Sequence, residues 1–180
     1  DTFTDLGILM VLIIILVFIV MAAQFESLVD PFVIMFSIPF AFTGIVLGLA
    51  VTQTPLGVMA LIGVIMLMGI VVKNGIVLID YTILCRERGM GIITSVVTAG
   101  KSRLRPVLMT TLTTVLGMIP MAVVTGEGSE MWCSMGMTVA WGLSVSTLIT
   151  LIIVPTVYAV FAANGVKRRR RKIRKALRNN

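Results

Sequence analysis

Lys73 lies inside the apolar run IVVKNGIVLIDY, residues 70–81. A charged side chain at the centre of a membrane helix costs about 2.5–3.5 kcal/mol on insertion scales. Such charges normally face a bundle interior or a wet cavity, and they pair. Asp80 is the one other ionisable group of that run besides Tyr81. It stands seven residues on, on the same helix face but about 10 Å along the axis, too far for an ordinary contact. Asp80 lies near the end of its run, where it reaches the headgroup zone and forms a possible mouth acid. Thr110, Thr113 and Thr114 repeat at i, i+3, i+4 in a later run, a hydroxyl stripe from which Thr111 is displaced. These hydroxyls and Asn74 can solvate an ammonium but cannot neutralise it. Two readings follow: desolvation deprotonates Lys73, or an acid from protein outside this sequence pairs with it. The second is preferred. A third, that Lys73 snorkels to an interface, asks for a reach of about 15 Å over ten residues.

Other chemistry finds little support. The chain has no histidine, so no nucleophile–base–orienter set of the usual kind can form. A serine–lysine pair would need a serine on the Lys73 face, and none is near. Two cysteines, Cys85 and Cys133, form no CxxC and no metal-ligand spacing. No catalytic, cofactor or metal site is expected. The thirteen methionines are dispersed, as gap-fillers are, rather than arranged as a soft-metal path.

The elements that must hold Lys73 are membrane helices. The 180 residues are 58% hydrophobic and 13% charged, with a mean hydropathy of +1.07. Long, nearly uncharged runs predict an all-α membrane protein with five spans, about 6–23, 31–50, 57–83, 106–125 and 135–162. Residues 1–165 then form a helix bundle and 166–180 a basic tail. Pro31 and Pro106 suit helix starts; Pro39, Pro120 and Pro155 fall inside spans and predict kinks. Gly44 with Gly48, and Gly142 with Ser146, are small-residue pairs that permit close helix approach. Residues 92–100 read as a short separate interfacial helix.

Charge orients the spans. The link between the third and fourth carries Arg86, Arg88, Lys101, Arg103 and Arg105, and the tail begins KRRRRK at Lys167. Alternation puts both on one side; the opposite side holds only Asp1, Asp5, Glu127 and Glu130. The positive-inside rule makes the basic side cytoplasmic, the N-terminus external and the C-terminus cytoplasmic. Cys85 and Cys133 then sit at opposite faces and do not pair. Trp132 and Trp141 read as outer-interface anchors. The tail reads as an anchor to anionic headgroups rather than a nucleic-acid patch. The first run is preceded by acids and no basic residue, unlike a secretory signal, so the chain reads as part of something longer or a processed product.

MAAQFESLVDPFVIMFSIPFA (21–41), GIVVKNGIVLIDY (69–81) and RLRPVLMTTLTTVLGMIP (103–120) closely resemble the last membrane section of resistance-nodulation-division (RND) efflux permeases. The match is to the hydrophobe/amphiphile efflux branch, the AcrB-like multidrug pumps. The resemblance implies five spans equivalent to helices eight to twelve of a twelve-helix transporter in the bacterial inner membrane. It implies a homotrimer that works with a periplasmic adaptor and an outer-membrane channel, driven by protons. It also implies that Lys73 meets paired aspartates on another helix, outside this chain. Thr110 matches a proton-relay threonine, Arg103 a residue near the cytoplasmic mouth, and Asn74 follows the lysine as the motif expects. A secondary transporter, not an enzyme, is implied. The alternatives are a metal or lipid exporter or protein-export accessory of the same superfamily, and a non-transporting membrane scaffold.

Overall fold

A computed structural model describes residues 2–54 and 56–178, with side chains described through Gly165. Six helices follow one another: α1 (Thr2–Phe25), α2 (Val29–Met35), α3 (Ile38–Thr52), α4 (Val58–Glu87), α5 (Ile92–Val123) and α6 (Ser129–Arg178). Because α2 and α3 together make one crossing, Val29–Thr52, five stretches are long and apolar enough to span a bilayer. The shortest of the five has 24 residues, about 36 Å of helix, against a hydrocarbon core of about 30 Å.

Two prolines behave differently from expectation. Pro39 does not kink a continuous helix. It lacks the N–H that would bond the Met35 carbonyl, so α2 stops at Met35 and α3 restarts at Ile38 with the proline in its first turn. Ser37 seals the break: its hydroxyl donates to the Ile34 carbonyl at 2.6 Å. Pro106 does not start a helix either. The helix begins at Ile92, with the Ser95 amide bonded to the Gly91 carbonyl at 2.8 Å, and runs through Pro106 to Val123. Residues 92–100 are thus the first turns of α5 rather than a separate helix. Ser95 and Ala99 are fully buried there, and that packing offsets the one backbone bond Pro106 removes. Pro120 and Pro155 lie within the continuous α5 and α6. The backbone of α6 also stays helical past residue 165, as far as Arg178. The tail's side chains lie outside the described residues.

Packing centres on α6, which lies against α3, α4 and α5. The core includes Leu67, Val71, Ile79, Leu143 and Val154, all at most 2% exposed. Glycines set the closest approach. A Cβ on Gly44 would sit 2.8 Å from the Cβ of Val145; on Gly48 it would strike Trp141, and on Gly142 it would strike Leu67. Trp141, expected only as an interface anchor, therefore covers the α3 backbone. In contrast, α1 buries only Met21 and exposes Ile8, Leu12, Ile15 and Ile19 among others.

Candidate functional site

Five residues of α4 form an uncovered stripe: Met66, Gly69, Lys73, Asp80 and Leu84 are exposed, while their flanking neighbours turn inward. Spacings of three, four and seven residues keep them on one helix face. Lys73 is 15 residues past Val58 and 14 before Glu87, so about 21 Å of helix separates it from either end. The helix runs four residues past the span end expected from sequence, to Glu87. Among the described residues Lys73 makes no hydrogen bond or ion pair. Asp80 shares its face at two turns' distance and does not reach it.

The level of Lys73 against its neighbours follows from contacts above and below. The guanidinium of Arg103 on α5 lies 4.7 Å from the centre of the Tyr81 ring on α4. Tyr81 is eight residues after Lys73, and Arg103 is eight before Thr111. The two helices run antiparallel from a short turn, so Lys73 is level with Thr111 and within one residue of Thr110. Arg103 is half-buried, and its Nε has no hydrogen-bond partner. It sits toward the basic end, where a cation over an aromatic face is stabilised by the ring quadrupole.

The threonines divide differently from the expected stripe. Thr110 and Thr113 are exposed and Thr114 is half-buried. Each donates its hydroxyl to the carbonyl four residues back, Thr110 to Pro106 at 3.0 Å, Thr113 to Met109 and Thr114 to Thr110 at 2.8 Å. Thr111, which the stripe left out, is the buried one, and its hydroxyl pairs with that of Thr147 on α6 at 3.1 Å. Periodicity on α5 alone could not show this, because α6 lies against Thr111, not against the expected stripe. Asn74 follows Lys73 in the chain but faces a different side of α4. It is 8% exposed, on the bundle side of α4. The structure thus puts Lys73, Thr110, Thr111 and Asn74 at one depth, on different faces, with Arg103 and Asp80 about two turns away.

A second polar group went unnoticed in the sequence. The Arg86 guanidinium donates to the Tyr158 hydroxyl at 3.0 Å. Both residues line an open cleft of about 600 Å³ with Ser27, Asp30, Glu87, Phe25 and Phe161. Arg86 counted only as a basic-side charge because its partner lies 72 residues away. Cys85 and Cys133 are both free thiols. They sit at opposite ends of the parallel helices α4 and α6.

Comparison with known proteins fits this arrangement. Residues 2–162 match the model of the AcrB/AcrD/AcrF family. The swarming motility protein SwrC of Bacillus subtilis is 42% identical over 163 residues, 90% of this chain and 16% of its own length. The multidrug resistance protein MdtC of Proteus mirabilis is 35% identical, over 94% of this chain and 16% of its own. The cobalt-zinc-cadmium resistance protein CzcA of Cupriavidus metallidurans is 36% identical, over 86% and 15%. A crystal structure of a heavy metal efflux pump superposes with a TM-score of 0.78 at 29% identity, covering 87% of this chain and 15% of the pump. The chain therefore spans about one sixth of the length of these relatives. It is a multi-pass membrane polypeptide that belongs to the AcrB/AcrD/AcrF family of RND efflux permeases.

Proposed function

We propose that this chain is part of a proton-driven exporter of hydrophobic and amphiphilic compounds, equivalent to helices eight to twelve, and that Lys73 is the counter-ion of its proton-binding acids. The observation that carries this reading is the position of Lys73: mid-helix, unpaired among the described residues, on a face of α4 that they leave open. An ammonium there needs carboxylates from a helix outside these 180 residues. With the acids ionised, Lys73 pairs with them. When they take protons the attraction is lost, and Lys73 turns toward other acceptors at its own depth, Thr110 first. A charge change of this kind biases a packed helix interface between two arrangements. Arg103 stands toward the basic, cytoplasmic end of the same route, and Asp80, exposed on α4 toward that end, supplies a mouth acid.

The placement is in the bacterial inner membrane, N-terminus periplasmic and basic tail cytoplasmic. The working unit is a trimer joined to a periplasmic adaptor and an outer-membrane channel. In the complete permease, Lys73→Met should abolish dye efflux while leaving the trimer intact on native gels. Wild-type efflux by that variant removes Lys73 from the mechanism. Metal export is the second reading, favoured by the likeness to CzcA and to the heavy metal pump. Everted vesicles offered a cationic dye and zinc in turn from outside separate the two, since only the true cargo accumulates inside under a proton gradient.

A further inference from the structure

Most hydroxyls in these helices satisfy themselves by donating to the carbonyl one turn back. Thr82 bonds Leu78, Thr138 bonds Ser134 and Ser144 bonds Ala140, at 2.7–2.8 Å. Ser146 and Thr150 on α6 do neither this nor anything else: both are buried, 0% and 3% exposed, and their hydroxyls have no partner. The side-chain nitrogen of Asn74 is in the same condition. An unpaired polar atom in a buried, lipid-enclosed interface is costly and calls for an explanation.

These three groups share one level. Gly63 of α4 lies against Met135 and Thr138 of α6, and Leu67 against Gly142. Further along, Arg86 meets Tyr158. The helices are parallel and in step over more than six turns. Carrying that register to Asn74 sets it opposite residues 146–149, beside Ser146 and one residue from Thr150. Asn74 stands two turns past Leu67, so it keeps the face that looks at α6. Thr147, bonded to Thr111, closes the same level from the α5 side.

We propose that the α4–α6 interface holds a bound water between Asn74, Ser146 and Thr150. One donor amide and two hydroxyls, each free to donate or accept, are the three partners that a buried water typically engages. The inference concerns contacts within this chain and holds whichever cargo the permease carries. It makes Asn74 the anchor of α4 to α6 directly behind Lys73, through a joint that is not a fixed side-chain contact.

The test is radiolytic hydroxyl-radical labelling of the complete permease in lipid nanodiscs. Radicals form at bound water and oxidise whatever touches it. Leu143, 0% exposed and one turn from Ser146, should label several-fold faster than Val139, equally buried but two turns away. Ser146→Ala with Thr150→Val should remove that excess. Thr150→Val alone, a nearly isosteric change, should reduce it if the double variant does not assemble. Equal labelling of Leu143 and Val139, or an excess that survives both changes, overturns the proposal.

Discussion

Lys73→Met should have opposite effects in two settings. Lys73 stands near the middle of α4, so a hydrocarbon core of about 30 Å centred on that helix puts it about 15 Å from either face, a long reach for a snorkelling lysine. Where only this chain surrounds it, the ammonium faces hydrocarbon. Its removal should favour insertion of Val58–Glu87 by about 2.5–3.5 kcal/mol, roughly 60- to 300-fold. Because that helix is strongly apolar, the shift is best read in a series where leucines are replaced by alanine until insertion is half-complete. A glycosylation-site reporter in a host protein then gives the threshold with and without Lys73. In the complete permease the same change strands the acids it faced. Breaking a buried ion pair by removing one partner costs about 3–5 kcal/mol, so the variant should unfold at lower detergent concentration. An unchanged insertion threshold would place Lys73 at an interface. A complete permease made more stable by Lys73→Met would show that no carboxylate meets it. Either result refutes the argument from missing charge.

Other consequences can be checked separately. Thr111→Val and Thr147→Val should each destabilise by about 0.6 kcal/mol, at most about 1.7, while the double variant recovers much of the loss in detergent unfolding. Gly48→Leu should cost about 1–3 kcal/mol or more, since it drives a side chain into Trp141 where α3 meets α6. Gly117→Ala, with open space around its added Cβ, should instead stabilise α5 by about 0.5–1 kcal/mol by the same measure. Tyr158→Phe should lower stability by about 0.5–1.5 kcal/mol by releasing Arg86, and Arg86→Leu should show no further loss in that background. With Cys85 and Cys133 replaced by alanine, Met90→Cys and Trp132→Cys should react with an impermeant maleimide from opposite membrane sides. Labelling of both from one side overturns the span order.

The five crossings were legible because lipid demands long apolar runs with internally bonded backbone, and such runs need no knowledge of partners. Helix ends were less so. Pro106 looks like a first-turn residue by itself. Only the burial of Ser95 and Ala99, supplied by tertiary packing, carries α5 back to Ile92. At Pro39 the chain breaks rather than kinks, and the Ser37 hydroxyl bonds the Ile34 carbonyl at the break. Within the site, Lys73 announced itself by charge alone. Thr111 could not, since its importance rests on Thr147, 36 residues away. The hydroxyls of Thr110 and Thr113 stay on the exposed side of α5, while Thr111 turns to α6.

Helix α4 is therefore polar on two faces at one depth, for two different reasons. Lys73 stands on the open side, where no group among the described residues compensates its charge. Asn74, one residue on and about 100° around the helix, stands on the closed side against α6. A turn of α4 that moved Lys73 toward or away from its acids would have to shear the Asn74 face across Ser146 and Thr150. Interdigitated apolar packing resists such shear because it moves between discrete fits. A level of short polar side chains, with their neighbours Thr111 and Thr147, offers exchangeable hydrogen bonds instead. Gly63 and Gly142, where the two helices lie closest, are on the outer side of that level, and the Arg86–Tyr158 bond is on the basic side. Close contacts above and below thus bracket a polar level of the α4–α6 interface at the depth of Lys73.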